Sequence, residues 1–107
     1  MPVTRIVVLF NLKPSADRDA YEQWARSVDI PGVNALASIE KFSVHASQGL
    51  LGSDAKPPYE YVEVIDVADM DQFGKDIATE AMKRISAEFQ EFADNPAFIL
   101  TRPIESR

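Results

Sequence analysis

With 107 residues the chain has room for one domain and no second. Its 46% hydrophobic and 26% charged residues are ordinary for a globular protein, which sets aside disordered and collagen-like classes. A formal charge of −6, with eleven scattered Lys and Arg residues, leaves no basic stripe to neutralise phosphates, so no nucleic-acid partner is expected. The absence of cysteine removes disulfides, iron–sulfur clusters and thiol nucleophiles and fits a reducing compartment.

Near the amino terminus the apolar stretch Ile6 to Phe10 is too short for a signal h-region or a membrane span. No membrane partner is expected, and the location implied is cytoplasmic. Residues 3–12 (VTRIVVLFNL) are rich in β-branched and aromatic side chains and read as a first strand. Its unalternating apolar run calls for burial on both faces. Pro14-Ser15 breaks the strand, and Ser15 or Asp17 can cap a helix running to about Val28. Ala20, Tyr21, Trp24, Ala25 and Val28 share one face of that helix. Asp29-Ile-Pro-Gly-Val33 is expected to stop it, because the residue before a proline disfavours helical geometry.

Residues 39–46 (IEKFSVHA) alternate as a second strand, with Phe42, Val44 and Ala46 on one side and Lys41, Ser43 and His45 on the other. A polar loop over 47–57 leads to a third strand over 59–67, where Tyr59, Tyr61, Glu63 and Ile65 share a face. Asp69 opens a long helix whose apolar stripe runs Met70, Phe73, Ile77, Ala81, Ile85, Phe89 and Phe92, with Gly74 as a point of bending. Asn95-Pro96 is expected to end it, and residues 97–102 form a fourth strand.

The order β-α-β-β-α-β predicts an α+β, ferredoxin-like domain over 1–107: a four-stranded antiparallel sheet with both helices on one face. The other face then carries apolar side chains from several strands, a patch of roughly hundreds of square ångströms that a monomer rarely exposes. A second copy of the chain is the simplest cover, so a homodimer closed into a dimeric α+β barrel is expected.

YEQWA (21–25), DIPGVNAL (29–36), GLLG (49–52), PPYEYVEVIDVADM (57–70) and FADNPAFILTRPIE (92–105) together resemble the RedY-like (HapK-like) family over nearly the whole chain. The resemblance implies a dimeric α+β barrel tied to prodiginine and related alkaloid pathways. It further implies assistance to a condensation between heteroaromatic intermediates, or a neighbouring step, without a bound cofactor. It transfers no catalytic residues.

Read from the residues themselves, His45 is the sole histidine, the residue type best suited to exchange protons near neutral pH. If the polar faces of the second and third strands coincide, His45, Glu63 and Tyr61 converge as a proton-moving set. His45 reads equally as a satisfied strand residue. Trp24, Tyr59 and Asn11 are the candidate substrate-binding residues, Trp24 as an aromatic wall or as core, Tyr59 as sheet cover, and Asn11 as a polar contact or a backbone clamp. One histidine with dispersed carboxylates forms no metal-ligand spacing, and GLLG lacks the pattern of a phosphate loop, so neither a metal nor a cofactor is expected. The leading expectation is a cofactor-independent enzyme of natural-product biosynthesis acting on a small heteroaromatic molecule. The alternatives are a non-catalytic carrier of a hydrophobic intermediate and, on fold analogy alone, a cofactor-free monooxygenase.

Overall fold

The computed structural model of the chain describes residues 3–106. Strands β1 (Thr4–Leu12), β2 (Ile39–Ala46), β3 (Tyr61–Val67) and β4 (Ala93–Thr101) form one sheet in the order β2-β3-β1-β4. Every neighbouring pair is antiparallel, with Val8 opposite Glu63 on β3 and opposite Phe98 on β4. This is the ferredoxin-like arrangement that the order of elements predicts. The alternation along β1 is sharp: Ile6, Val8 and Phe10 are buried under the helices, while Arg5, Val7, Leu9 and Asn11 point to the other side.

The first helical layer begins as expected. Asp17 is the N-cap, its carboxylate accepting from the Ala20 amide at 3.0 Å, and α1 spans Arg18–Trp24. It does not stop at Asp29. The chain widens into a π-helical turn over Ala25–Asp29 and continues as α2 (Ile30–Asn34) through Pro31 and Gly32. Pro31 has no amide to donate, and its ring crowds the carbonyl four residues back in a regular helix. The five-residue bond from the Ile30 amide to the Ala25 carbonyl gives that ring room without ending the helix. Asn34 then ties α2 to the sheet, donating to the Phe42 carbonyl at 3.0 Å and accepting from the Phe42 amide at 2.9 Å. Ala20, placed on the apolar face by its spacing, is exposed.

The second helical layer is two helices where one long one is expected. α3 (Met70–Asp76) starts at Asp69, whose carboxylate accepts from the amides of Asp71 and Gln72. α4 (Glu80–Phe92) starts afresh at Thr79, whose hydroxyl accepts from the Met82 amide. The break falls after Asp76, not at Gly74, where Thr79 takes an extended backbone, donates its hydroxyl to the Asp76 carbonyl at 2.9 Å and caps α4, while the Asp76 carboxylate accepts from the Ser38 amide at 3.1 Å and from Gln72 at 2.8 Å. The last strand begins earlier than expected, at Ala93, and takes in Asn95-Pro96. Asn95 adopts a left-handed φ of 50° beside a register shift against Leu9 and Asn11, and an edge strand tolerates the missing Pro96 donor.

Aromatic rings fill the space between sheet and helices. Phe10 stacks on Tyr61 with centroids 5.5 Å apart and meets Phe89 edge-on at 5.0 Å, while Tyr21 meets Tyr61 at 4.8 Å. Among the described residues no helix is long and apolar enough to cross a membrane.

Candidate active site

Glu63 stands at the centre of the sheet face that the helices cover. Its strand neighbours on that face are Tyr61 and Ile65, and its cross-strand partners are Val8 and Val44. It is 4% exposed and no cationic side chain pairs with it among the described residues. The Tyr21 hydroxyl reaches it at 3.5 Å, a long and weak hydrogen bond. Burial, and next the charge of Asp29, push the Glu63 carboxyl up to about 8 against the small opposing effect of Tyr21.

Asp29 faces it from the helical layer. It closes the π turn on the stripe that begins Tyr21, Ala25 and continues to Val33, all buried. Asp29 is 5% exposed, and no hydrogen-bond donor or cation meets its carboxyl among the described residues. Burial pushes it up to about 7.

Both carboxyls line a cavity of about 370 Å³ between sheet and helices. Its remaining wall is apolar apart from Ser86: Ile6, Phe42 and Ile65 from the sheet, Val33 and Ile85 from the helices, and the rings of Phe73, Phe89 and Phe98. Met70, Ile77, Ser86, Phe98 and Leu100 are the exposed part of the lining and mark the mouth, between α3, α4 and the edge strand β4. A concave, mostly apolar pocket with two convergent polar groups of displaced pKa is the usual form of a small-molecule site.

The residues singled out from the sequence are distributed differently. His45 lies opposite Val62, on the face of the sheet away from Glu63, where it is exposed and bonded to Ser43 at 3.0 Å. The convergence of His45 with Glu63 is therefore not found. Its physical reason is register: Glu63 is paired with Val44, and adjacent residues of a strand point to opposite faces. Tyr61 shares the face of Glu63, but its hydroxyl donates to Glu22 at 2.7 Å beneath the Arg18 guanidinium, outside the cavity. Burial, and then that bond, raise its pKa.

Trp24 packs on Phe92 and Phe89 and donates from its indole nitrogen to Glu88 at 2.8 Å, also outside the cavity lining. Tyr59 precedes β3 and is partly exposed, its carbonyl accepting from the Ser47 hydroxyl. Asn11 clamps the loop before β3, donating to the Pro58 carbonyl and accepting from the Glu60 amide. The sequence marks Asp29 only as the start of the expected helix stop; its spacing of four from Ala25 and from Val33 is the signal that sets it apart, an acid on an otherwise apolar stripe.

The chain is similar to HapK from Hahella chejuensis, with 28% identity, 97% of this chain and 95% of that one covered, and a TM-score of 0.74. Two more distant structures share the fold: a hydroxynitrile lyase from Passiflora edulis (10% identity, 99% and 97% covered, TM-score 0.79) and a protein from Thermobifida fusca described as dimeric and ferredoxin-like (17%, 95% and 92%, 0.74). No match was found among functionally curated proteins. Residues 4–104 match the family described as REDY-like protein HapK, and the chain belongs to that family.

Proposed function

We propose that the protein is a cofactor-independent acid–base enzyme of natural-product biosynthesis that assists a condensation on a heteroaromatic intermediate, with Glu63 as the proton-transferring residue. The observation that carries this is a carboxyl group 4% exposed, without a cationic partner among the described residues, facing a cavity walled by aromatic and aliphatic side chains. Burial keeps that carboxyl protonated at neutral pH, and a neutral carboxylic acid can hand its proton to a carbonyl oxygen. Phe42, Phe73, Phe89 and Phe98 give a flat ring faces and edges to pack against. The class of substrate rests on the family resemblance, and the acid–base role rests on the site.

The working unit in this reading is a homodimer. The uncovered face of the sheet carries Val7 and Leu9 from β1, Val62 and Val64 from β3, and Ala97 and Ile99 from β4. These share that face with Ser43 and His45, and a second copy laid on it closes the barrel.

The test is the coupling of 2,4-dimethylpyrrole to pyrrole-2-carboxaldehyde, followed by absorbance of the conjugated product. The wild type should accelerate it, and Glu63→Gln should lower that acceleration on the order of 100-fold with the fold intact. Binding of both probes with no acceleration would instead make the chain a carrier.

A further inference from the structure

Resting on that reading of Glu63, we propose that Asp29 is a second catalytic residue: its carboxylate removes the ring proton of the attacking heteroaromatic while the Glu63 carboxylic acid protonates the carbonyl under attack. The cavity brings the two carboxyls together from opposite layers, Asp29 from the π turn and Glu63 from β3. Each is more than nine-tenths buried, and Asp29 has no partner of any kind among the described residues to explain it. An acid left unpaired on a buried helix stripe costs stability, and such a cost persists where a ligand uses the group.

The surroundings determine how protons are shared. Tyr21 from α1 touches Glu63, and Ser86 from α4 is the other polar side chain of the wall. Tyr61, on the strand of Glu63, turns its hydroxyl away to Glu22. Among the described residues no Lys, Arg or His lines the cavity. Two negative charges facing each other with no cation are strongly disfavoured, so the pair holds one proton between them near neutral pH. Glu63, pushed higher, keeps it while Asp29 ionises first.

The balance of the step suits an apolar site. A π pair of the ring forms the new carbon–carbon bond, and the carbonyl π pair takes the Glu63 proton as a new O–H bond. The ring C–H bond then breaks, its electron pair restoring aromaticity and its proton passing to Asp29. One negative charge is present on the protein before and after, moved from one carboxyl to the other. Passage of the proton from Asp29 to Glu63 resets the site; the alcohol so formed then loses its hydroxyl, with a proton, as water to give the conjugated product, and no oxidant or reductant is consumed.

The experiment pairs a titration with an exchange reaction. Carboxyl ¹³C signals of Asp29 and Glu63 are followed against pH in the wild type, Asp29→Asn, Asp29→Ala and Glu63→Gln. In parallel, ring-proton exchange of 2,4-dimethylpyrrole in D₂O is measured. This probe needs one acid to deliver a deuteron and one base to remove the proton. We expect the Glu63 midpoint to fall by about one unit in Asp29→Asn and in Asp29→Ala alike, so that either folded variant reports the coupling, while Asp29, which ionises first against a neutral Glu63, keeps its midpoint in Glu63→Gln. Exchange should show a bell-shaped pH dependence and drop on the order of 100-fold in Asp29→Asn. Exchange undiminished in Asp29→Asn, or a Glu63 midpoint that does not move when Asp29 is replaced, would overturn the role of Asp29 while leaving Glu63 in place. Absence of exchange in the wild type would overturn the underlying reading itself.

Discussion

The δ-methyl of Ile85 lies 2.6 Å from the point that a Cβ on Gly32 would occupy. Helix α4 therefore packs against bare backbone of α2, and the two residues together set the depth of the cavity that Ile85 lines. In Gly32→Ala the far end of the isoleucine side chain gives way, toward the cavity. The loss of stability should stay within about 1–3 kcal/mol, partly offset by better helix propensity. Affinity for 2,4-dimethylpyrrole should fall several-fold, on the order of 1 kcal/mol, because the added methyl takes the space a ligand needs. Thermal melts and a binding titration check both, and unchanged affinity would mean that Ile85 turns elsewhere.

The buried carboxyls make stability fall as pH rises. In the folded chain Glu63 keeps its proton to about pH 8 and Asp29 to about pH 7, against ordinary values of 4.5 and 3.8. Between those limits the native state binds more protons than the unfolded one, so the slope of unfolding free energy against pH is negative. This stabilisation is complete below about pH 4 and is lost as pH passes through 7 and 8. Glu63→Gln should therefore be more stable than the wild type at pH 9, by on the order of 2–5 kcal/mol, and no more stable at pH 4. Urea unfolding at the two pH values decides it.

The uncovered sheet face can be tested with a single charge. Val64 sits among Val7, Val62 and Ser43 on that face, remote from the helices. Val64→Lys should move the mass measured by light scattering from two chains toward one, since an unpaired buried charge costs several kcal/mol, roughly 3–5 when a partner is missing. The same mass for both proteins would show that this face is not the interface.

His45 provides a control on the site. It lies on the face away from Glu63, outside the cavity. His45→Ala should leave pyrrole exchange within about twofold of wild type, because general acid–base catalysis requires contact or one bridging water. A loss comparable to that of Glu63→Gln would bring the opposite face into the chemistry.

Much of the fold was legible because its signals are local and repeated. The strict alternation in IEKFSVHA fixed β2 at the residues where it is found, and the order of elements led to the sheet topology. Two breaks were not legible, because local backbone geometry overrode the residue periodicity at each. The stop expected at Ile30-Pro31 became a π turn, because the helix accommodates the proline by widening. The one long helix became two because Thr79 leaves the helical backbone and caps a new start, while the Asp76 carboxylate anchors the end of α3 to the Ser38 amide, thirty-eight residues away in sequence. For the site, Glu63 was visible as an acid among Tyr61 and Ile65, but its partner was not. Whether His45 or Asp29 faces it depends on strand register and helix phase, which composition and periodicity leave free.

A π turn amounts to one residue more than an α-helix of the same rise would contain. Residues upstream and downstream of Ala25–Asp29 are thereby held about 100° out of ordinary α-helical phase. Wound as a regular α-helix, the same residues would turn Tyr21 and Asp29, eight apart, about 80° from each other, and the helix could then keep Tyr21 over the core or Asp29 in the cavity, but not both. The chemistry of this site is thus written in the winding of a helix as much as in the identity of its residues. A homologue shorter by one residue there would set the two positions seven apart, about 20° from each other in a regular α-helix, and should keep both on that face without a π turn.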